Sequence, residues 1–226
     1  MLVGTIDNSS MEKIIEIDFV SDVACPWCAV GLGSLEQAIK NLEGQVKVHI
    51  RFQPFELNTQ MPKGGQDVVE HLTQKYGISA KQVQVNQKNI RDRAASVGFT
   101  FHPEGRGRIY NTFNCHRLLH WALHEVGEAA QYRLKKELLI TYFTLAISLD
   151  EQSNLLDAVS RANLDTNRAK VVLDSDLFAT EVRESEAYYT QLGIHSVPSI
   201  IFNKKHLIQG GQPVETFEQA ILQLAG

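Results

Sequence analysis

The feature that most limits how this chain folds is a change of hydrophobic period along it. Residues 13–20, Lys-Ile-Ile-Glu-Ile-Asp-Phe-Val, are rich in β-branched residues and end at Ser21-Asp22, as a buried strand does. From Cys28 to Leu42 the apolar residues Val30, Leu32, Leu35, Ala38, Ile39 and Leu42 recur at helical spacing, and Gly44 supplies a stop. Val46, Val48, Ile50 and Phe52 then alternate with polar residues until Pro54, the period of a second strand. From about Gln66 to Gln191 the pattern is almost wholly helical. Its segments are Val68–Tyr76, Lys81–Val97, Tyr110–Glu125, Ala129–Ala146, Leu155–Ala162, Asn167–Leu173 and Phe178–Leu192, with no β-like run between them. Strand character returns only at residues 199–203 and 206–210, around the turn Asn203-Lys204-Lys205, before an amphipathic helix from Val214 to Leu224.

With the central helices set aside, the remainder reads βαβ and then ββα, the order of a thioredoxin fold. A right-handed crossover makes the first two strands parallel, and the hairpin adds antiparallel partners. The expectation is therefore an α/β protein, a thioredoxin fold with a large all-helical insertion domain. Its first half spans residues 12–62, the insertion 63–192 and the second half 193–226. Residues 1–11 read as a tail, with Met11 as a plausible start. The N-terminus has no positively charged start or long apolar stretch, and no apolar run reaches the roughly 18 residues a membrane span needs. A soluble, cytoplasmic protein is expected. The 22 basic and 26 acidic residues are dispersed and leave a net charge of −4, which argues against nucleic acid as a partner. No membrane partner is expected either.

Three cysteines, Cys25, Cys28 and Cys115, are too few for a disulfide scaffold. The first two form Cys25-Pro26-Trp27-Cys28, between the first strand and the first helix. The spacing alone also suits half of a zinc site, but a structural tetrahedral site needs further ligands, and there is no second Cys-x-x-Cys. A catalytic dithiol is the reading adopted, with no metal. Thiol–disulfide exchange needs a thiolate that attacks and a second thiol that resolves the mixed disulfide. At the first turn of the helix, Cys25 would have its anion stabilised by free N–H groups and the helix dipole. Cys28, one turn further in, is the natural resolving thiol, and Pro26 suits an early helical position.

A second feature lies far along the chain. Ser196-Val197-Pro198-Ser199 precedes the third strand, where a thioredoxin fold brings a loop to face its cysteines. A cis Val197–Pro198 bond is expected there, leaving the Val197 backbone to pair with an extended substrate. Pro26, Trp27, Val197 and Pro198 are the expected substrate contacts. Asp22 is a candidate for proton transfer or, more simply, a cap for the turn that follows.

Other residues receive plainer readings. His116, His120 and His124 share one face of a predicted helix, and packing or cleft lining is preferred to a metal. Cys115 reads as a small buried hydrophobe, and Gly210-Gly211-Gln212-Pro213 as a turn into the last helix; Arg106 and Arg108 are candidates for attracting an anionic substrate over the cleft or, more simply, parts of an exposed loop.

Taken together, Ser21-Asp22-Val23-Ala24-Cys25-Pro26-Trp27-Cys28, Asn111-Thr112, His116-Arg117-Leu118-Leu119-His120, Val197-Pro198-Ser199 and Gly211-Gln212-Pro213 resemble the DsbA family of thiol:disulfide oxidoreductases, particularly its FrnE-like branch. The resemblance implies a helical domain covering the dithiol, Cys25 as nucleophile, Cys28 as resolving thiol and Pro198 as the cis-proline. Secreted members carry Cys-Pro-His-Cys, so Trp27 here removes one stabiliser of the thiolate. The superfamily also holds glutathione-dependent kappa-class transferases and 2-hydroxychromene-2-carboxylate isomerases, which typically have serine where this chain has Cys25. The expected activity is disulfide exchange with protein or small-thiol substrates. No cofactor is expected beyond the redox-active pair itself, with glutathione as a candidate co-substrate. A glutathione-dependent isomerase or transferase and a non-catalytic, chaperone-like binding module are the alternatives.

Overall fold

The structure, a computed structural model, describes residues 13–226. The expected tail lies outside the described residues. Strand β1 (Lys13–Ser21) buries Ile15, Ile17 and Phe19, while Glu16 and Asp18 between them stay half-buried. Helix α1 (Pro26–Asn41) follows, with its buried stripe from Cys28 through Val30, Leu32, Leu35 and Ala38. Strand β2 (Val46–Pro54) pairs parallel with β1 in register Phe19 to Phe52, the arrangement that a right-handed crossover through α1 supplies. After the helical stretch, β5 (Ser199–Phe202) pairs antiparallel with β1, and β6 (His206–Gln209) antiparallel with β5. The sheet order is β2-β1-β5-β6, as the periodicity predicts, and the chain closes with α9 (Val214–Ala225).

Between β2 and β5 lie α2 (Val68–Tyr76), α3 (Ala80–Ser96), α4 (Phe113–Trp121), α5 (Glu128–Leu139), α6 (Gln152–Arg161), α7 (Thr166–Leu173) and α8 (Ala179–Gln191). Two departures from the predicted pattern stand out. A short ladder of β3 (Gln66–Asp67) and β4 (Arg108–Ile109) interrupts the helices, so the expectation of no strand there is corrected. Two residues per strand are too few to show a period of two, and side chains reinforce the ladder: Arg108 donates to the Gly64 and Gly65 carbonyls at 2.8 and 2.9 Å. The helices predicted at Tyr110–Glu125 and Ala129–Ala146 each finish in a turn of π-helix, Ala122–Val126 and Ile140–Thr144. A single wide turn leaves no trace in hydrophobic spacing.

One continuous hydrophobic core runs through sheet and helices, taking in Phe19 and Phe52 from the strands and Leu118, Leu134 and Tyr142 from the helical stretch. Helix α1 packs on α9 and α3, while α5 and α8 pack on β2. The close approach of α3 to α1 depends on Gly33, where a Cβ would stand 2.8 Å from Val97 Cγ2 and 2.9 Å from its carbonyl. Helix α5 joins the sheet by a polar device. Gln131 accepts the Phe52 N–H at 2.8 Å through its carbonyl and donates to the Phe52 carbonyl at 2.9 Å through its amide. A side-chain amide here does what a neighbouring strand would do.

Candidate active site

The strand β1 ends at Ser21, and three residues carry the chain to Cys25, the N-cap of α1, with Pro26 at the first helical position where its missing N–H costs nothing. The Cys25 sulfur accepts the Cys28 backbone N–H at 3.2 Å, a group that a helix start leaves without an intrahelical partner. Its thiol also donates to the Val197 carbonyl at 3.7 Å. The Val197–Pro198 peptide is cis, and the Cys25–Val197 contact brings the distant loop to the dithiol. All three cysteines are free and buried, Cys25 at 4% exposure, Cys28 and Cys115 at 1% each. Burial first, and then the adjoining Cys25, push the Cys28 thiol well above its ordinary range. Burial also pushes Cys115 up strongly, consistent with its reading as a small hydrophobe.

One cavity is lined by Cys25, and a second shares no lining residue with it. The larger, of about 470 Å³, is an open, mainly apolar cleft with Cys25, Pro26, Trp27 and Val197 along one wall and residues of α2 and α3 along the other. Trp27 is 40% exposed there. Its ring rests against Gly211, where a Cβ would lie 3.0 Å from Trp27 Cε3, so the Gly210–Pro213 turn packs directly on Trp27. The cleft lining contains Lys75, Arg91, Arg106 and His71 but no carboxylate. The sequence reading of Arg106 and Arg108 as one exposed loop is corrected for the first. Arg106 is half-buried, donates to the Ala24 carbonyl at 2.8 Å and stands 5.1 Å from the Phe143 ring centroid.

The smaller cavity, of about 60 Å³, lies among Phe52, His116, His120, His124, Gln131 and Lys135. Asp22, three residues before Cys25, lines neither cavity but meets the wall of the smaller one through His116. Its carboxylate accepts the Leu57 N–H at 2.8 Å and the Ala24 N–H at 3.4 Å, and lies 3.3 Å from His116 Nε2. The cap reading therefore holds only for the turn at Ala24; the helix cap itself is Cys25. Burial would raise the Asp22 carboxyl, but the hydrogen bond and charge of His116, with Leu57 and Thr112, outweigh it and hold it below the ordinary carboxylate range. His116 is as buried as Asp22, a pairing that packing alone does not explain. The His120 and His124 rings stack at 4.1 Å, and burial with His124 nearby lowers His120 to about 4. Among the described residues, no group of three or more His, Cys, Asp or Glu is arranged to hold a metal ion. Beyond this chamber Glu56, buried beside Glu186 and Arg183, is raised to about 7 by burial first and by Glu186 next.

Lys135, Glu56 and the half of the cleft from α2 and α3 were missed by sequence reasoning. Lys135 could have been found, because it shares the helical phase of Gln131, Leu134 and Leu138, all on the inner face.

A thioredoxin fold with a dithiol at a helix N-terminus, facing a cis-proline loop, defines the class of redox-active thiol proteins. This chain belongs to the DSBA-like thioredoxin domain family, whose model matches residues 16–222. A probable DsbA oxidoreductase from Streptomyces coelicolor is 31% identical, with a TM-score of 0.84 over 92% of this chain and 89% of that one. A 2-hydroxychromene-2-carboxylate isomerase, at 16% identity, has the same fold with a TM-score of 0.66 over 92% and 98% of the two chains. The cytosolic disulfide reductase DsbM from Pseudomonas aeruginosa, solved with GSH, gives 0.60 at 16% identity over 92% and 98%. No curated protein sequence matches this chain. No helix among the described residues is long and apolar enough to cross a membrane.

Proposed function

We propose that the protein is a thiol:disulfide oxidoreductase in which Cys25 attacks the substrate disulfide and Cys28 resolves the mixed species. The observation that carries this reading is the asymmetry of the pair. Cys25 lines the cleft and takes a helix N–H on its sulfur, whereas Cys28 lines neither cavity. The thiolate of Cys25 is the nucleophile that such a helix start favours. Attack breaks the substrate S–S bond, joins Cys25 to one half and releases the other as a thiolate. Cys28 then displaces the bound half and closes the Cys25–Cys28 disulfide. Trp27 and Pro26 would flank the substrate, and the Val197 carbonyl, on the loop set by Pro198, would pair with its backbone.

Glutathione is the proposed co-substrate, working in the cytoplasm. A carboxylate-free cleft with Lys75, Arg91 and Arg106 on its walls suits a small anionic thiol, and the fold likeness to a disulfide reductase solved with GSH supports the reading. The test is reduction of a protein disulfide and of glutathione disulfide by the wild type and two variants. Cys25→Ser should lose turnover by about three orders of magnitude or more. Cys28→Ser should accumulate a mixed disulfide. Full activity in Cys25→Ser would end the proposal, and conjugating or isomerising activity that survives loss of both thiols would move the assignment to the glutathione-dependent isomerase class.

A further inference from the structure

Two adjacent glycines in the turn before α9 have different reasons to be glycine. Gly210 has a φ of 84°, in the left-handed region that favours this residue. Gly211 lies outside that region, so its backbone admits other residues. Its neighbours do not. A Cβ at this position would stand 3.0 Å from Trp27 Cε3, 3.2 Å from the Trp27 carbonyl oxygen and 3.4 Å from Val30 Cγ1. The space that a side chain would need is held by Trp27.

A third glycine completes the contact from the helix side. Gly31 lies one turn after Trp27 in α1, where glycine weakens a helix. A Cβ there would meet Pro198 Cγ at 3.2 Å and Gly211 Cα at 3.5 Å. The missing side chain leaves a notch in α1 into which the turn and the proline loop both settle. Loop and turn are also bonded to each other, since the Gly210 N–H donates to the Pro198 carbonyl at 2.8 Å. The Gln212 side-chain amide closes the turn by donating to the Gln209 carbonyl at 2.8 Å. Trp27 and the Val197–Pro198 loop come from opposite ends of the chain, yet Gly31, Gly210 and Gly211 hold them in one relation. None of these three glycines lines the cleft.

We infer that Gly211 is a positioning residue for substrate: it seats Trp27 against the turn, so that the free face of the indole receives a flat apolar group carried beside the partner's sulfur. Trp27 keeps 40% of its surface exposed and shares the cleft wall with Cys25 and Val197. The Trp27 carbonyl belongs to the first turn of α1, which leaves the ring as the movable neighbour of residue 211. Pushed off the turn, the ring shifts toward the cleft that it lines. Residue 211 thereby sets the preference of the dithiol for aromatic over ringless disulfides. The inference rests on the dithiol reading above and narrows its substrate class. A mixed disulfide of an aromatic thiol with a small anionic thiol such as glutathione meets both the indole and the cations of the same cleft.

Single-turnover reaction of the reduced protein with two disulfides tests this. One is dithiobis-nitrobenzoate, aromatic and anionic; the other is hydroxyethyl disulfide, which has no ring. Gly211→Val should slow capture of the aromatic disulfide on the order of tenfold, while capture of the ringless one changes by less than about twofold. Trp27→Ala should lower the aromatic preference by a similar factor. In that background Gly211→Val should leave the ratio of the two rates unchanged, because the group through which Gly211 acts is gone. Equal slowing with both disulfides marks a structural role alone and overturns the inference. An unaltered ratio in Gly211→Val overturns it too, as does a loss of preference that is the same with and without Trp27. If Gly211→Val does not fold, Gly211→Ala carries the same comparison with an effect of about threefold, since its Cβ asks the ring to give by only a little. Full activity in Cys25→Ser is a different result, because it strikes the dithiol reading itself. A preference indifferent to residue 211, with Cys25→Ser inactive, strikes only the placing of Trp27.

Discussion

The cleft at Cys25 and the chamber around His116 are built from opposite materials. The front, at Cys25, is a wide, mainly apolar cleft whose charges are all cationic; the rear is a small chamber walled by three imidazoles and the Lys135 amine, with the Asp22 carboxylate against His116. The front suits variable cargo, since apolar walls and a few cations ask little of shape. The rear suits a fixed task, because every polar group there is ordered by packing and has a named neighbour or a cavity to face. One sulfur lines the cleft and the other is enclosed in the interior, so the two cysteines of the pair stand in different surroundings.

The largest expected effect strikes the rear. Asp22→Asn removes the carboxylate that pairs with His116, and breaking a buried pair of this kind should destabilise the fold by about 3–5 kcal/mol. Because the folded-state carboxyl is held below its ordinary value, its contribution is present above that value and is lost as the pH falls through the folded one. Urea denaturation across acid pH should therefore show a shallower acid loss in the variant; an unchanged profile would mean that the pair carries no net stability. A somewhat smaller effect compares the two sides directly. Alkylation of the reduced protein, followed by mass spectrometry, should modify Cys25 on the order of 10²-fold faster than Cys28 or Cys115. Equal rates would dissolve the contrast. The smallest effect belongs to the front. Arg106→Met should raise KM for glutathione disulfide about fivefold, close to 1 kcal/mol, with little change in kcat. A change confined to kcat would move Arg106 from substrate binding to support of the Ala24 loop.

What the sequence disclosed follows the same division. Strand order and the nearness of Val197-Pro198 to the cysteines were legible because they rest on periodicity and on a motif with fixed placement. The helix cap was half legible: Cys25 was expected in the first turn, but Asp22, with a good capping side chain, turned its carboxylate inward to Leu57 and His116 instead. Arg106 and Arg108 look alike in sequence and part company only in three dimensions, one against Phe143 and the other against Gly64 and Gly65. Lys135 sat in plain view on the inner face of its helix. A charged residue in an apolar stripe reads as an imperfection until the cavity that it faces is known.

The clasp between Gln131 and Phe52 has a consequence for behaviour at high concentration. Strand β2 forms one margin of the sheet, and a margin with free peptide groups invites strands from other molecules. Here the Phe52 peptide is already satisfied, and Glu128 on the same helix holds His49 and Arg51 at 2.9 and 2.7 Å. That margin is covered by α5 at Phe52. The opposite margin, β6, stays open but offers only four residues beside Lys204 and Lys205, too short and too charged a template for fibril-like stacking.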